Sequence, residues 1–148
     1  MQGRPMILWY FLGIIYLSIL TYQDYKHKMI VDDRYNYFMM GATAMLYSGT
    51  SRGWWFILFI LMLAITLSIS LKMLNVLGSA DLKTIFWSFI GFSLIAMSKL
   101  VAYLLILAVI ISLYHALKAV LSKLTNTQVS HLPFYPVLLI TFILAAFI

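Results

Sequence analysis

The chain has 148 residues, 64% of them hydrophobic and only 9% charged, with a mean hydropathy of +1.01, where soluble domains carry roughly 25% charge. So little polar material cannot cover a water-soluble core, whereas a bilayer favours apolar helix exteriors, so the expected fold is all-α, a polytopic membrane helix bundle in one domain over 1–148 with the lipid bilayer as its solvent. Ten Lys and Arg against four Asp give a net charge of +6, but the basic residues sit in short connections between apolar runs, which suits membrane orientation and argues against a nucleic-acid partner.

The first span is predicted from Met6 to Tyr22. Arg4 ahead of an apolar run resembles a secretory signal, yet no small-residue cleavage site follows, so it reads as a retained helix. The second span runs from Tyr35 to Ser48; about 14 residues at about 1.5 Å each cover only about 21 Å, so it borrows flanking residues or sits in thinned bilayer, and a five-helix count stays open. The third runs from Trp54 to about Leu77, the fourth from about Leu82 to Met97, the fifth from Leu100 to Leu117 and the sixth from Pro133 to Ile148. Alternating sides along these six spans places Lys26, Lys28, Arg34, Lys72, Lys83, Lys118 and Lys123 on one face, and Arg4, Arg52 and Lys99 on the other. The richer face is expected to be cytoplasmic, with both termini outside a cytoplasmic membrane. Trp9, Tyr47, Trp54 and Trp55 then fall at the outer interface, where amphipathic rings are favoured.

All four acidic residues are Asp, at positions 24, 32, 33 and 81. Asp24 closes the first span and Asp81 opens the fourth, so span parity brings both to the cytoplasmic face. Two carboxyls in a poorly hydrated cleft cannot both ionise easily, which supplies a base and an acid together. The charged one can take a proton from water attacking a peptide carbonyl, and the protonated one can hydrogen-bond the carbonyl oxygen and then help the amine leave. This chemistry calls for neither metal nor cofactor. Asp81 lies in Leu77-Gly78-Ser79-Ala80-Asp81-Leu82-Lys83, whose small residues permit a tight turn and close approach. Lys83 can help hold one aspartate ionised. The alternative is structural, with Asp81 as an N-cap and Gly78 as a turn residue.

Three segments resemble the type IV prepilin peptidases and archaeal preflagellin peptidases, polytopic aspartic peptidases of the GxGD class. DYKHKMIVDD, from Asp24 to Asp33, is similar to the first catalytic Asp with its basic stretch and Ile-Pro-Asn/Asp element, with Ile30 and Asp32 in register and Val31 in place of Pro. GSADLK is similar to GxGD followed by Lys, with Ala80 in place of the second Gly. LPFYPVLL, from Leu132, resembles the Pro-Phe-x-Pro element that opens the last helix. The resemblance implies Asp24 and Asp81 as the catalytic pair. It also implies a partner: a pilin-like or archaellin-like precursor whose short basic leader is cut just before a hydrophobic helix. Asp32 and Asp33 can attract such a leader, or be plain loop charges. Bacterial relatives often add a Cys-x-x-Cys part and methylate the new amino terminus; with no Cys in this chain, peptidase activity without a methyltransferase module is expected.

Other chemistry finds less in the sequence. Absence of Cys removes disulfides and thiol nucleophiles, and absence of Glu removes the HExxH zinc pattern. His27, His115 and His131 are scattered and read as surface or interface residues. Ser112 and His115 lie one turn apart without GxSxG or an oxyanion loop, which suggests packing or a helix hydrogen bond. The remaining rivals are a small proton-coupled transporter, whose acids would usually lie nearer the midplane within inverted repeats, a noncatalytic assembly component, and a presenilin-like enzyme, for which no Pro-Ala-Leu element is present. Oligomeric state is not read from the sequence.

Overall fold

The computed structural model of the protein describes residues 3–27, 32–48, 50–73, 77–125 and 132–148. These form six helices: α1 (Gly3–His27), α2 (Arg34–Ser48), α3 (Trp54–Met73), α4 (Ser79–Ile95), α5 (Met97–Thr125) and α6 (Tyr135–Phe147). Among the described residues there is no strand. Of the six spans expected, α1, α3 and α5 are long and apolar enough to cross a membrane by themselves, and α6 is a shorter apolar helix. The 15 residues of α2 and 17 of α4 fall short of the roughly 20 that one bilayer core needs.

Several boundaries move from their expected places. Asp24 lies one turn inside α1, whose last turn adds Lys26 and His27 against the negative end of the helix dipole. The 29 residues of α5, about 43 Å at 1.5 Å each, outrun the hydrocarbon, so Lys118 and Lys123 ride on its final turns instead of in a connection. Between α4 and α5 stands one extended residue, Ala96 (φ −162°, ψ 142°), so the break is sharper than the sequence suggests. Pro133 precedes α6, and Pro136 occupies its first turn, where a missing amide hydrogen costs little.

The central element is α4, which packs against α2, α3, α5 and α6. Its sequence permits this because apolar and small residues occur all round it, and Leu82, Ile85, Trp87, Ser88, Phe89 and Gly91 are all buried. The ring α1–α2–α4–α5–α6 closes where α6 meets α1, while α3 lies outside against α4. Outward-facing Phe59, Met62 and Ile69 on α3, and Leu105, Leu113 and Val120 on α5, give the apolar exterior that lipid rewards and water penalises.

One end of the ring is held by aromatic packing. Trp9 does not sit at an interface as expected; it is 2% exposed, in the core. Its ring meets Trp87 at 5.9 Å and Phe92 at 5.5 Å edge-on, and Phe142 at 5.2 Å. Its Nε1–H donates to Thr43 Oγ1 at 2.9 Å, which satisfies the polar end of a buried indole. Trp54 and Trp55 are the exposed pair, at 74% and 85%. Lys99 Nζ donates to the Ala146 carbonyl at 2.9 Å, tying the start of α5 to the end of α6. The start of α1 and the ends of α2, α4 and α6 therefore share this end, and the opposite termini of those helices share the other.

Gly91 makes the aromatic packing possible, because a Cβ there would overlap three atoms of the Trp9 ring. Gly91→Ala should therefore cost about 1 to 3 kcal/mol through overpacking, read as a lower unfolding midpoint in detergent. Gly41→Ala, where a Cβ meets nothing within 4 Å, should be neutral or slightly stabilising. Equal midpoints for the two variants would contradict this account of the core.

Candidate functional site

At the opposite end the polar groups gather. Asp24 is 4% exposed, and its Oδ2 accepts the backbone N–H of Phe134 at 2.7 Å and of Tyr135 at 3.1 Å. The first amides of a helix have no partner within it. Phe134, the N-cap of α6, has no side-chain cap of its own, and Pro136 brings no N–H. A carboxylate from α1 thus caps α6 from outside. This joins the Asp24 segment to the Leu132–Leu139 segment, a contact that neither discloses alone.

Asp81 is the third residue of α4. It is not the N-cap: that position belongs to Gly78 (φ −72°, ψ 165°), and Asp81 Oδ2 reaches back to accept the Gly78 N–H at 3.0 Å. A Cβ on Gly78 would stand 3.3 Å from that oxygen, which explains the small residue here. Asp24 lies near enough for its charge to act on Asp81, and both carboxyls act on Tyr114 of α5. The Tyr114 hydroxyl donates to Leu132 O at 2.7 Å, and its ring meets Phe134 edge-on at 4.9 Å. Tyr114 thereby steadies the segment whose amides grip Asp24.

Beside this pair lies a fully buried amide, Asn36 on α2. The two N–H groups of its Nδ2 are shared among Asp33 Oδ1 at 2.7 Å, Tyr135 Oη at 3.2 Å and the Ala80 carbonyl at 3.3 Å. Its Oδ1 accepts from Thr84 Oγ1 at 2.7 Å and from Trp87 Nε1 at 2.9 Å. Thr84 Oγ1 also lies within hydrogen-bond distance of Tyr135 Oη, at 3.1 Å. One side chain therefore links the starts of α2, α4 and α6. Nothing in its own segment singles it out, although a lone amide in an apolar helix has to find partners inside the protein.

The charged residues around the pair are already matched. Arg34 forks onto Asp32, with Nη2 at 2.7 Å and Nε at 2.9 Å, and this bond holds the Asp32 carboxyl below its ordinary range. Lys83 pairs with Asp33 and lies 4.7 Å from the Tyr37 ring centroid. The expectation that Lys83 helps to keep a catalytic aspartate ionised is thus redirected: its partner is Asp33. Asp32 and Asp33 likewise already hold cations of this chain, which weakens them as bait for a basic leader. Gln23 Oε1 accepts the Asp32 N–H at 2.9 Å and ties this turn to α1.

Lys28, Ile30, Val31 and His131 lie outside the described residues. Ser112 donates to the Ala108 carbonyl at 2.8 Å, the helix hydrogen bond expected of it, and His115 is exposed. Among the described residues no three His, Cys, Asp or Glu side chains gather as a metal site. No family model, curated protein or solved structure matches the chain.

Replacing the hub tests its structural weight. Asn36→Leu strands the Trp87 indole N–H in the core and removes the bridge to Tyr135, so a loss of about 2 to 4 kcal/mol is expected, measured by equilibrium unfolding in detergent. A variant within about 0.5 kcal/mol of the parent, the range of ordinary surface changes, would show that the network carries little.

Proposed function

We propose that the protein is a membrane aspartic endopeptidase in which Asp24 and Asp81 share one proton and direct water onto a peptide bond. The observation that carries this reading is the placement of two acids, from α1 and α4, at one end of an apolar bundle, near enough for the charge of Asp24 to act on Asp81, with Asp24 buried against the start of α6. In the reaction, one carboxylate takes a proton from water as its oxygen attacks the carbonyl carbon. The other, protonated, donates to the carbonyl oxygen; the first then passes the water's proton to the amide nitrogen, the C–N bond breaks, the amine leaves, and the diol returns a proton to the second carboxylate as the new carboxyl forms. In this proposal Asp24 is assigned the part of the base and Asp81 that of the acid.

The substrate in this proposal is a pilin-like or archaellin-like precursor, cut between a short basic leader and a hydrophobic helix. That bond lies at the membrane boundary, where this end of the bundle would lie. Described cations Lys26, Arg34, Lys72, Lys83, Lys118 and Lys123 cluster toward the aspartate end, against Arg4, Arg52 and Lys99 at the other. The positive-inside rule then makes the aspartate end cytoplasmic and puts both termini outside.

A noncatalytic reading also has an observation behind it, since each carboxylate accepts backbone N–H groups at a helix start. Substitutions separate the two. Asparagine keeps a carbonyl oxygen for those amides while removing the titrating proton. Asp24→Asn and Asp81→Asn should therefore stay folded and lose at least about 100-fold in cleavage of a precursor bearing a basic leader and an apolar helix. Asp24→Ala should in addition lower the unfolding midpoint, by about 1 kcal/mol for a lost cap. Cleavage at the parent rate by either asparagine variant removes that residue from the mechanism.

A further inference from the structure

Two cavities at the aromatic end of the bundle have no part in the proposed chemistry. The first, about 220 Å³, is lined by Pro5, Met6, Leu46, Leu94 and the polar connection Thr50, Ser51 and Arg52. Arg52 lies over the Phe56 ring at 4.9 Å and is otherwise exposed. The second, about 270 Å³, is almost wholly apolar and runs between α2 and α3 with α4 as its floor, past Tyr47, Ala44, Met40, Ile57, Phe86 and Leu94. Leu94 borders both cavities.

The slot follows the helix axis from Tyr47, near the Arg52 connection, inward to Met40, a rise of about 10 Å at 1.5 Å per residue. A volume of about 270 Å³ over that length leaves a mean cross-section of about 27 Å², less than a helix about 10 Å across occupies, and suits an extended hydrocarbon chain. Its polar end carries one exposed guanidinium and the Ser51 hydroxyl, donors that match a phosphate, while the Thr50 hydroxyl already donates to the Tyr47 carbonyl at 2.9 Å. A cationic mouth above an apolar slot, on a surface otherwise made for lipid, selects a molecule that is anionic at one end and aliphatic along the rest.

We infer that the crevice between α2 and α3 binds one glycerophospholipid, its phosphate at Arg52 and an acyl chain along Ala44 and Met40. The site lies at the end of the bundle away from Asp24 and Asp81, and the inference does not depend on peptidase activity. Bound there, the lipid fills the gap that α2 and α3 leave over α4 and fixes the bundle's depth in that leaflet.

The test is native mass spectrometry of the purified full chain in non-ionic detergent, titrated with a phosphatidylglycerol and, separately, with a diacylglycerol that lacks phosphate. The parent should retain one phosphatidylglycerol with about tenfold preference over the diacylglycerol, the scale of one charge-assisted contact. Arg52→Gln should abolish the preference, and Ala44→Phe, on an exposed position of the slot, should weaken retention of both lipids. Both positions are exposed, so unchanged helicity and melting are expected of each variant. Retention of phosphatidylglycerol by Arg52→Gln at the parent level overturns the inference. Displacement of the lipid by inorganic phosphate also overturns it, because the site then takes an anion alone. If Ala44→Phe blocks a neutral apolar helical peptide and leaves both lipids bound, the slot belongs to a helix instead.

Discussion

The grip of the first amides of α6 on the Asp24 carboxylate is the interaction on which the rest of this end depends. A buried acid at a bilayer edge is tolerated only when its charge is met by donors, and a helix N-terminus supplies both N–H groups and the positive end of a dipole. The arrangement also works in reverse, since α6 begins with proline-flanked residues that lack a cap of their own. Each side resolves the other's deficit. The closure of α6 onto α1 and the placement of a carboxylate beside Asp81 are thus one structural event.

The two ends of the bundle are stabilised by different means. At the far end, Trp9, Trp87, Phe92 and Phe142 interlock around Gly91 and Gly13, and aromatic contact with close backbone approach sets the spacing. At the aspartate end the same helices are joined by directed hydrogen bonds through Asn36, Thr84 and Tyr135. Apolar packing tolerates small slips, whereas a hub with five hydrogen bonds fixes register. A bundle pinned this way holds its acids in constant relation even where lipid presses on its flanks. Trp87 belongs to both systems, offering its ring to Trp9 and its N–H to Asn36.

Much of the fold can be read from residue pattern, because a chain so apolar has few ways to satisfy its backbone in lipid. The six helices, the short α2 and the alternation that gathers Asp24 and Asp81 at one end all follow from apolar runs and parity. Helix ends were harder, since α1 and α5 continue into polar residues that hydropathy assigns to connections. Trp9 shows a second limit. Its place in the sequence suggests an interface ring, and only the partner Gly91 on a distant helix reveals why it is inside. Asn36 shows a third: nothing within its own helix marks it as a hub, because all its hydrogen bonds except that to Asp33 come from α4 and α6.

The pairing of Lys83 with Asp33, and of Arg34 with Asp32, also bears on how any substrate would be recognised at this end. The Arg34–Asp32 pair, with its arginine exposed, contributes little to stability, and the half-buried Lys83–Asp33 pair joins α4 to the turn before α2. Each pairing occupies one aspartate of the turn before α2, and the six described cations of this end, Lys26, Arg34, Lys72, Lys83, Lys118 and Lys123, still outnumber its four aspartates. An approaching basic segment would therefore meet no net negative field at this end, and in the proposed reading its recognition would rest on the apolar helix that follows the leader. A helix docked along the bundle in that way would bring the preceding bond to the start of α6, where the polar network gives way to the apolar bundle.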